Sequence, residues 1–334
     1  MTDPLDAPHP EAAAQEANAN DARDAFVALR AEIAKAVVGQ DAAVTGLVVG
    51  LLCRGHVLLE SVPGTAKTLL IRSTAAALSL DSTRIQFTPD LMPGDVTGSL
   101  VHDPREGGFT FREGPIFTQL LLADEINRTP PKTQSALLEA MEERTVSVDG
   151  RTRPLPEPFM VAATMNPIEY QGTYPLPEAQ LDRFLLKLVL PLPDRDDEYR
   201  ILARHASGFD PRDLTTAGIA AVAGPAQIAA AQEAVRRVTV APEVMAYIVD
   251  LVRATRNSPS LELGVSPRGA TALMSAARAW AWLQGRDFAT PDDVKALARP
   301  ALRHRVIVRP EAELEGTTSD SVLESVLATV PAPL

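Results

Sequence analysis

The chain has 334 residues, 46% of them hydrophobic and 22% charged, enough for a substantial core and for two domains. A net charge of −11 disfavours a general nucleic-acid binder, whose affinity rests on neutralised phosphates, and leaves room for a local basic patch at most. The single cysteine, Cys53, excludes an internal disulfide and a cysteine zinc site, and the histidines (9, 56, 102, 205 and 304) show no metal-ligand spacing.

Residues 1–22 are rich in Ala, Pro, Asn and acidic side chains and lack an apolar period, which predicts a disordered acidic tail. They carry no basic-then-apolar leader. From Arg23 a helical period begins, with Phe26, Leu29, Ile33 and Val37 three and four apart, ending at Gly39. Gln40 and Asp41 then lead a second helix over 42–54. Its apolar run is too short to cross a bilayer, so the expected location is the cytoplasm. Gly39 and Gln40, one helix ahead of residues 56–68, read as a helix–helix turn or as an edge for a nucleotide base.

Residues 56–68 organise the chain. Val57 to Leu59 predict a short buried strand, which breaks at Pro63-Gly64 before Lys67-Thr68 open a helix through Leu78. Strand, small-residue loop, Lys-Thr and helix form the layout of a phosphate-binding loop. Backbone N–H groups and the helix dipole favour an anion there. Lys67 reaches the β and γ phosphates in such a loop, and the Thr68 hydroxyl holds Mg²⁺. Ser61 and Ala66 stand where the consensus has Gly, and both are small. Ala66 also suits an earlier helix start.

Residues 84–87 predict a strand. Thr88 to Asp95 are punctuated by prolines, and the Gly107-Gly108 pair followed by Phe109-Thr110-Phe111 predicts a hairpin, so 88–112 reads as an insertion. Its Met92, Phe109 and Phe111 either pack on the core or touch a partner. Leu120 to Ala123 form a fully apolar strand ending in Asp124-Glu125. Ligands of open α/β sheets bind at such strand ends. Asp124 there suits the Mg²⁺ and Glu125 suits the proton of an attacking water.

A helix follows over 132–143, then a hairpin with an Asp149-Gly150 turn, then a buried strand over 159–164. Asn166, just past it, reads both as a γ-phosphate contact and as an Asn-Pro turn starter. A short helix near 175–184 and a strand over 185–190 close this part. Arg183 reads as a surface ion pair or as a cation presented to a neighbouring subunit's nucleotide. From Asp194 the chain is helical. Ser266-Pro267 cap one helix and place Arg268 in its first turn, where a cation needs an anion to offset the dipole.

Taken together, these stretches resemble the MoxR family of AAA+ ATPases over about residues 24–334. The resemblance is carried by residues 60–68, by Gln-Phe-Thr-Pro-Asp-Leu-Met-Pro at 86–93 and by Ala-Asp-Glu-Ile-Asn-Arg-Thr-Pro-Pro-Lys at 123–132. Ala-Thr-Met-Asn-Pro at 163–167, residues 172–184, Ser-Pro-Arg at 266–268 and the ending near 309–314 also fit. It implies an α/β P-loop core at 23–193, with a five-stranded parallel sheet between helices, and an all-α lid at 194–334. It also implies Walker A at Ser61, Val62, Pro63, Gly64, Thr65, Ala66, Lys67 and Thr68, and Walker B at Asp124 and Glu125. Asn166 would be sensor 1, Arg183 a trans arginine finger and Arg268 sensor 2. The implied cofactors are ATP and Mg²⁺. The implied assembly is a hexameric ring that matures a client complex together with a von Willebrand factor A domain protein. A metal-chelatase ATPase subunit and a DNA-associated AAA+ motor share this architecture.

Overall fold

Alternating apolar runs build a parallel sheet that feeds two cores. The computed structural model describes residues 10–62, 64–103, 108–166 and 172–333. Helix α1 (Pro10–Ala34) starts well before Arg23, so residues 10–22 are helical and not a disordered tail; residues 1–9 lie outside the described residues. The physical reason is propensity: this stretch is dense in Ala, Glu and Gln, which favour helix without any apolar period. Downstream, Phe26, Leu29 and Ile33 are buried, with the Phe26 ring edge-on to Trp282 at 6.2 Å.

Helix α2 (Asp41–Leu52) leads to β1 (Val57–Glu60), and α3 (Lys67–Ala77) leads to β2 (Ser82–Gln86). The insertion holds α4 (Pro93–Thr97) and an antiparallel hairpin, β3 (Gly98–Asp103) with β4 (Gly108–Glu113). Its Gly107 lies outside the described residues; Met92 and Phe109 are exposed. Then come β5 (Leu120–Asp124), α5 (Pro131–Glu143), the hairpin β6 (Thr145–Val148) with β7 (Arg151–Pro154), and β8 (Met160–Met165). Short α6 (Glu178–Leu181) and β9 (Leu186–Val189) complete the sheet.

The sheet order is β2-β5-β8-β1-β9, and every pairing is parallel. Side-chain alternation sends Val57, Leu59, Leu120, Leu122 and Ala162 to one core, against α1, α2 and α3. Leu58, Leu121, Ala123, Val161 and Ala163 face the other, against α5 and Phe184. The parallel register sets Gln86 beside Asp124 and Leu59 beside Thr164, so the ends of β2, β5, β8 and β1 open on one edge.

The remaining helices are α7 (Arg195–Ala206), α8 (Pro225–Arg237), α9 (Pro242–Arg256), α10 (Pro267–Leu283), α11 (Pro291–Leu302), α12 (Pro310–Leu314) and α13 (Ser319–Thr329). Proline opens α8 through α12, where its missing N–H costs nothing. Ser266 and Thr290 accept from the N–H groups of Gly269 and Asp293, as their cap positions predict. Among the described residues no helix is long and apolar enough to cross a membrane.

His56 makes the fold acid-sensitive. Its Nε2–H donates to the Met141 carbonyl at 3.0 Å, while Nδ1 accepts from the Val161 N–H at 2.9 Å. A second proton on Nδ1 would face that donor. Burial pushes the imidazole down to about 4, and burial beside Arg305 shifts His304 the same way. Unfolding restores the ordinary value near 6.5, so the unfolded chain takes up the proton first as pH falls. Stability should be full above about pH 6.5 and fall by about 3 kcal/mol on approach to pH 4 from His56 alone. Denaturant midpoints across that range should show this slope, and His56→Gln should flatten it.

Candidate nucleotide site

The phosphate loop leaves β1 and enters α3 through a left-handed step. Gly64 takes φ +89°, and Ala66 takes φ +60° as the N-cap residue of α3. The helix therefore begins at Lys67 and not earlier. Ala66 holds the left-handed conformation that the consensus Gly takes freely, at a cost of about 1 kcal/mol. The open N–H groups of the first turn face a cleft of about 630 Å³. Thr65 closes the loop, its hydroxyl donating to the Val62 carbonyl at 3.2 Å. Pro63 lies outside the described residues. Ser61 is buried at the loop's root, where its N–H donates to the Met165 carbonyl at 3.3 Å.

The cleft has a mixed lining. Lys67, Thr68, Asp124, Glu125 and Asn166 are its polar lining, and Val37, Val38, Ile201 and Phe209 are apolar. Arg72, Arg204 and Arg212 stand along it, an excess of cations suited to a polyanion. Two of these cations also hold the walls. Arg204 donates to the Ala34 and Lys35 carbonyls at the end of α1, at 2.8 and 2.7 Å. Arg72 donates to the carbonyls of Pro211 and Arg212.

The two acids are gripped from β2. Arg84 donates to Asp124 Oδ2 through Nη2 at 2.6 Å and Nε at 3.1 Å. The Thr164 hydroxyl donates to Asp124 Oδ1 at 2.6 Å and accepts from the Glu125 N–H at 2.8 Å. Gln86 Nε2 donates to Glu125 Oε2 at 2.7 Å, and Arg128 pairs with the same oxygen at 3.1 Å. Glu125 sits in the left-handed region at φ +57°, a strained conformation for a residue other than glycine.

Residues 56–186 match the ATPase family associated with various cellular activities (AAA), and residues 253–326 match the AAA lid domain. The chain is 41% identical to Chaperone MoxR1 of Mycobacterium tuberculosis, over 90% of this chain and 81% of that one. It is 34% identical to Protein MoxR of Methylorubrum extorquens, over 94% and 96%. The chain belongs to the MoxR family of AAA+ ATPases. A crystal structure from Cytophaga hutchinsonii assigned as an ATPase superposes with a TM-score of 0.89 at 36% identity, covering 98% of this chain and all of that one. An uncharacterized protein, YeaC, of Bacillus subtilis is 46% identical over 90% of this chain and 93% of its own length. Membership makes the chain a nucleotide-binding ATPase with an α/β core and a helical lid.

Not every expected residue of this MoxR-family chain lines the cleft. Gly39 and Gln40 do not edge it; Ala36, Val37 and Val38 do. Gln40 is buried, donating to the Pro191 carbonyl at 3.1 Å, and a Cβ on Gly39 would lie 2.2 Å from Asp197 Oδ2. Arg183 and Arg268 are also absent from the lining of the cleft. Both are ion-paired to Glu142, at 3.0 and 3.2 Å. The anion that Arg268 needs in the first turn of α10 is thus a carboxylate. Sequence reading missed Arg84, Gln86, Thr164 and Glu142. Gln86 and Thr164 lie at the carboxyl ends of their strands and Arg84 lies mid-strand in β2, and their place beside the acids becomes readable only with the strand order.

Proposed function

We propose that this ATPase binds Mg-ATP in the cleft, hydrolyses it between subunits of a ring, and uses the cycle to mature or activate a client complex. Lys67 and the N–H groups of the α3 turn would hold the β and γ phosphates. The base would sit against the apolar lining, Val37, Ile201 and Phe209. Thr68 and Asp124 fit Mg²⁺: it takes a hydroxyl, a carboxylate, phosphate oxygens and water, and needs no protein cage. Bound there, Mg²⁺ neutralises charge on the phosphates. Asp124 already faces a cation in Arg84, so a metal would replace one positive partner with another. Glu125 would take the proton of the attacking water, and Asn166 would orient that water.

The observation that carries the ring is the siting of Arg183 and Arg268. Two arginines outside their own cleft and paired side by side are suited to a triphosphate held by an adjoining subunit. Activity per subunit should then rise with protein concentration as rings form, which a dilution series of ATPase rates checks. A rate strictly proportional to enzyme from dilute solution upward would count against it. The family's usual assembly, a hexamer, is the expected size.

The client reading is tested with a trap. Glu125→Gln with ATP, set against the unmodified protein with ADP, should capture from native lysate a von Willebrand factor A domain protein together with a client complex. Capture of DNA-bound assemblies would favour a motor. ATP-dependent metal insertion into a tetrapyrrole would favour a chelatase.

A further inference from the structure

The two arginines meet on one carboxylate that belongs to neither of their elements. Glu142 lies in the last turn of α5. Its Oε2 is 3.0 Å from Arg183 Nε, just past α6, and its Oε1 is 3.2 Å from Arg268 Nη1, in the first turn of α10. All three side chains are part-exposed, at 38%, 30% and 48%. They share a cleft of about 280 Å³ whose wall also carries Arg54 and Arg144. An ion pair this wet contributes little to stability. Its consequence is geometric.

The backbone beneath is already fixed without Glu142. Arg305, buried, pairs with Asp182 Oδ1 at 2.6 Å and donates to the Phe184 carbonyl at 2.6 Å and the Leu185 carbonyl at 3.1 Å. The Ser266 hydroxyl, at the cap of α10, donates to Asp182 Oδ2 at 3.1 Å. The loop that carries Arg183 and the helix that carries Arg268 are therefore bolted together one residue from the first and two from the second. What these bonds leave undetermined is the course of two long, like-charged side chains, which repel. A carboxylate between them turns that repulsion into attraction and sets both guanidiniums in one place. Arg183 engages it through Nε, at 3.0 Å from Glu142 Oε2.

We propose that Glu142 is a positioning residue that brackets Arg183 and Arg268, so that the pair meets the triphosphate of an adjoining subunit as one unit. This rests on the reading of both arginines as acting between subunits.

The test uses the full chain with Glu142→Gln, isosteric and uncharged. The expected result is kcat for ATP lowered about tenfold or more, since a misplaced catalytic group costs rate steeply. Nucleotide affinity of dilute subunits and ring assembly by sedimentation should stay within about twofold. Glu142→Asp, which keeps the charge, should recover part of the rate. Adding Arg183→Ala to Glu142→Gln should lower kcat no further than Arg183→Ala alone. Co-assembly with Lys67→Ala, whose own cleft is disabled and whose arginine face is intact, should restore activity to the Glu142→Gln clefts. An unchanged kcat overturns the proposal. So does failure of this restoration when Arg183→Ala subunits are restored by the same Lys67→Ala partner, because Glu142 would then act in its own cleft or on folding. If neither variant is restored, the reading between subunits falls first, and the bracket falls with it.

Discussion

Replacing Glu125 with Gln is expected to lower ATP turnover about a hundredfold or more while ATP stays bound. The expectation rests on how the side chain is held. Its N–H is fixed by Thr164, and its Oε2 takes Gln86 and Arg128 at 2.7 and 3.1 Å. On the proposed reading, a carboxylate so held in the cleft would accept a proton from water beside the γ phosphate. Glutamine keeps the size and loses that capacity. Phosphate release and retention of labelled nucleotide, measured on the same preparation, separate the two effects. Turnover within about twofold of the unmodified protein would put the proton acceptor elsewhere. Loss of binding would instead mean that the acid helps hold the phosphates.

The same network defines a smaller companion experiment. Gln86→Ala removes the β2 contact to Glu125 and leaves the carboxylate itself in place. Its turnover should lie between that of the unmodified protein and that of Glu125→Gln. Arg84 performs the matching task for Asp124, since both of its contacts fall on one oxygen, Oδ2.

What the sequence disclosed and what it hid divide on a physical line. Local signals were legible. A Lys-Thr pair opening a helix after a buried strand, two acids ending an apolar run, and Ser or Thr before Pro at helix starts are written in adjacent residues, and each lies where its spacing puts it. Contacts set by strand order were not legible. Arg84 and Gln86 read as an unremarked short strand until β2 pairs with β5 and brings them beside Asp124 and Glu125. Glu142 was hidden for the same reason, since nothing in a helix end foretells two arginines arriving from later elements. Of the two readings of Gly39-Gln40, the structure has the helix–helix turn, with Gly39 against Asp197 and Gln40 bonded to Pro191, from beyond β9. Residues 10–22 misled because Ala-rich helix needs no apolar stripe.

Arg183→Ala carries the second large effect, an expected loss of about a thousandfold in turnover, the scale on which a cation that stabilises phosphoryl transfer from an adjoining subunit acts. The side chain lies outside its own cleft, so nucleotide affinity measured on dilute subunits should not move. Its pairing with Glu142 is part-exposed, so the fold should lose less than about 1 kcal/mol. A rate defect without a binding or stability defect is therefore the signature. Arg183→Lys should recover little, because an ammonium on a flexible stem cannot present the planar fork that spans Glu142 and a phosphate together. Co-assembly decides the direction of action. Arg183→Ala subunits keep a complete cleft, and Lys67→Ala subunits keep a complete arginine face. Each is inactive alone, and together they should hydrolyse ATP wherever the second presents its face to the first. Activity that stays absent across all mixing ratios, with rings formed, would mean that Arg183 works on its own subunit, against its place outside that subunit's cleft.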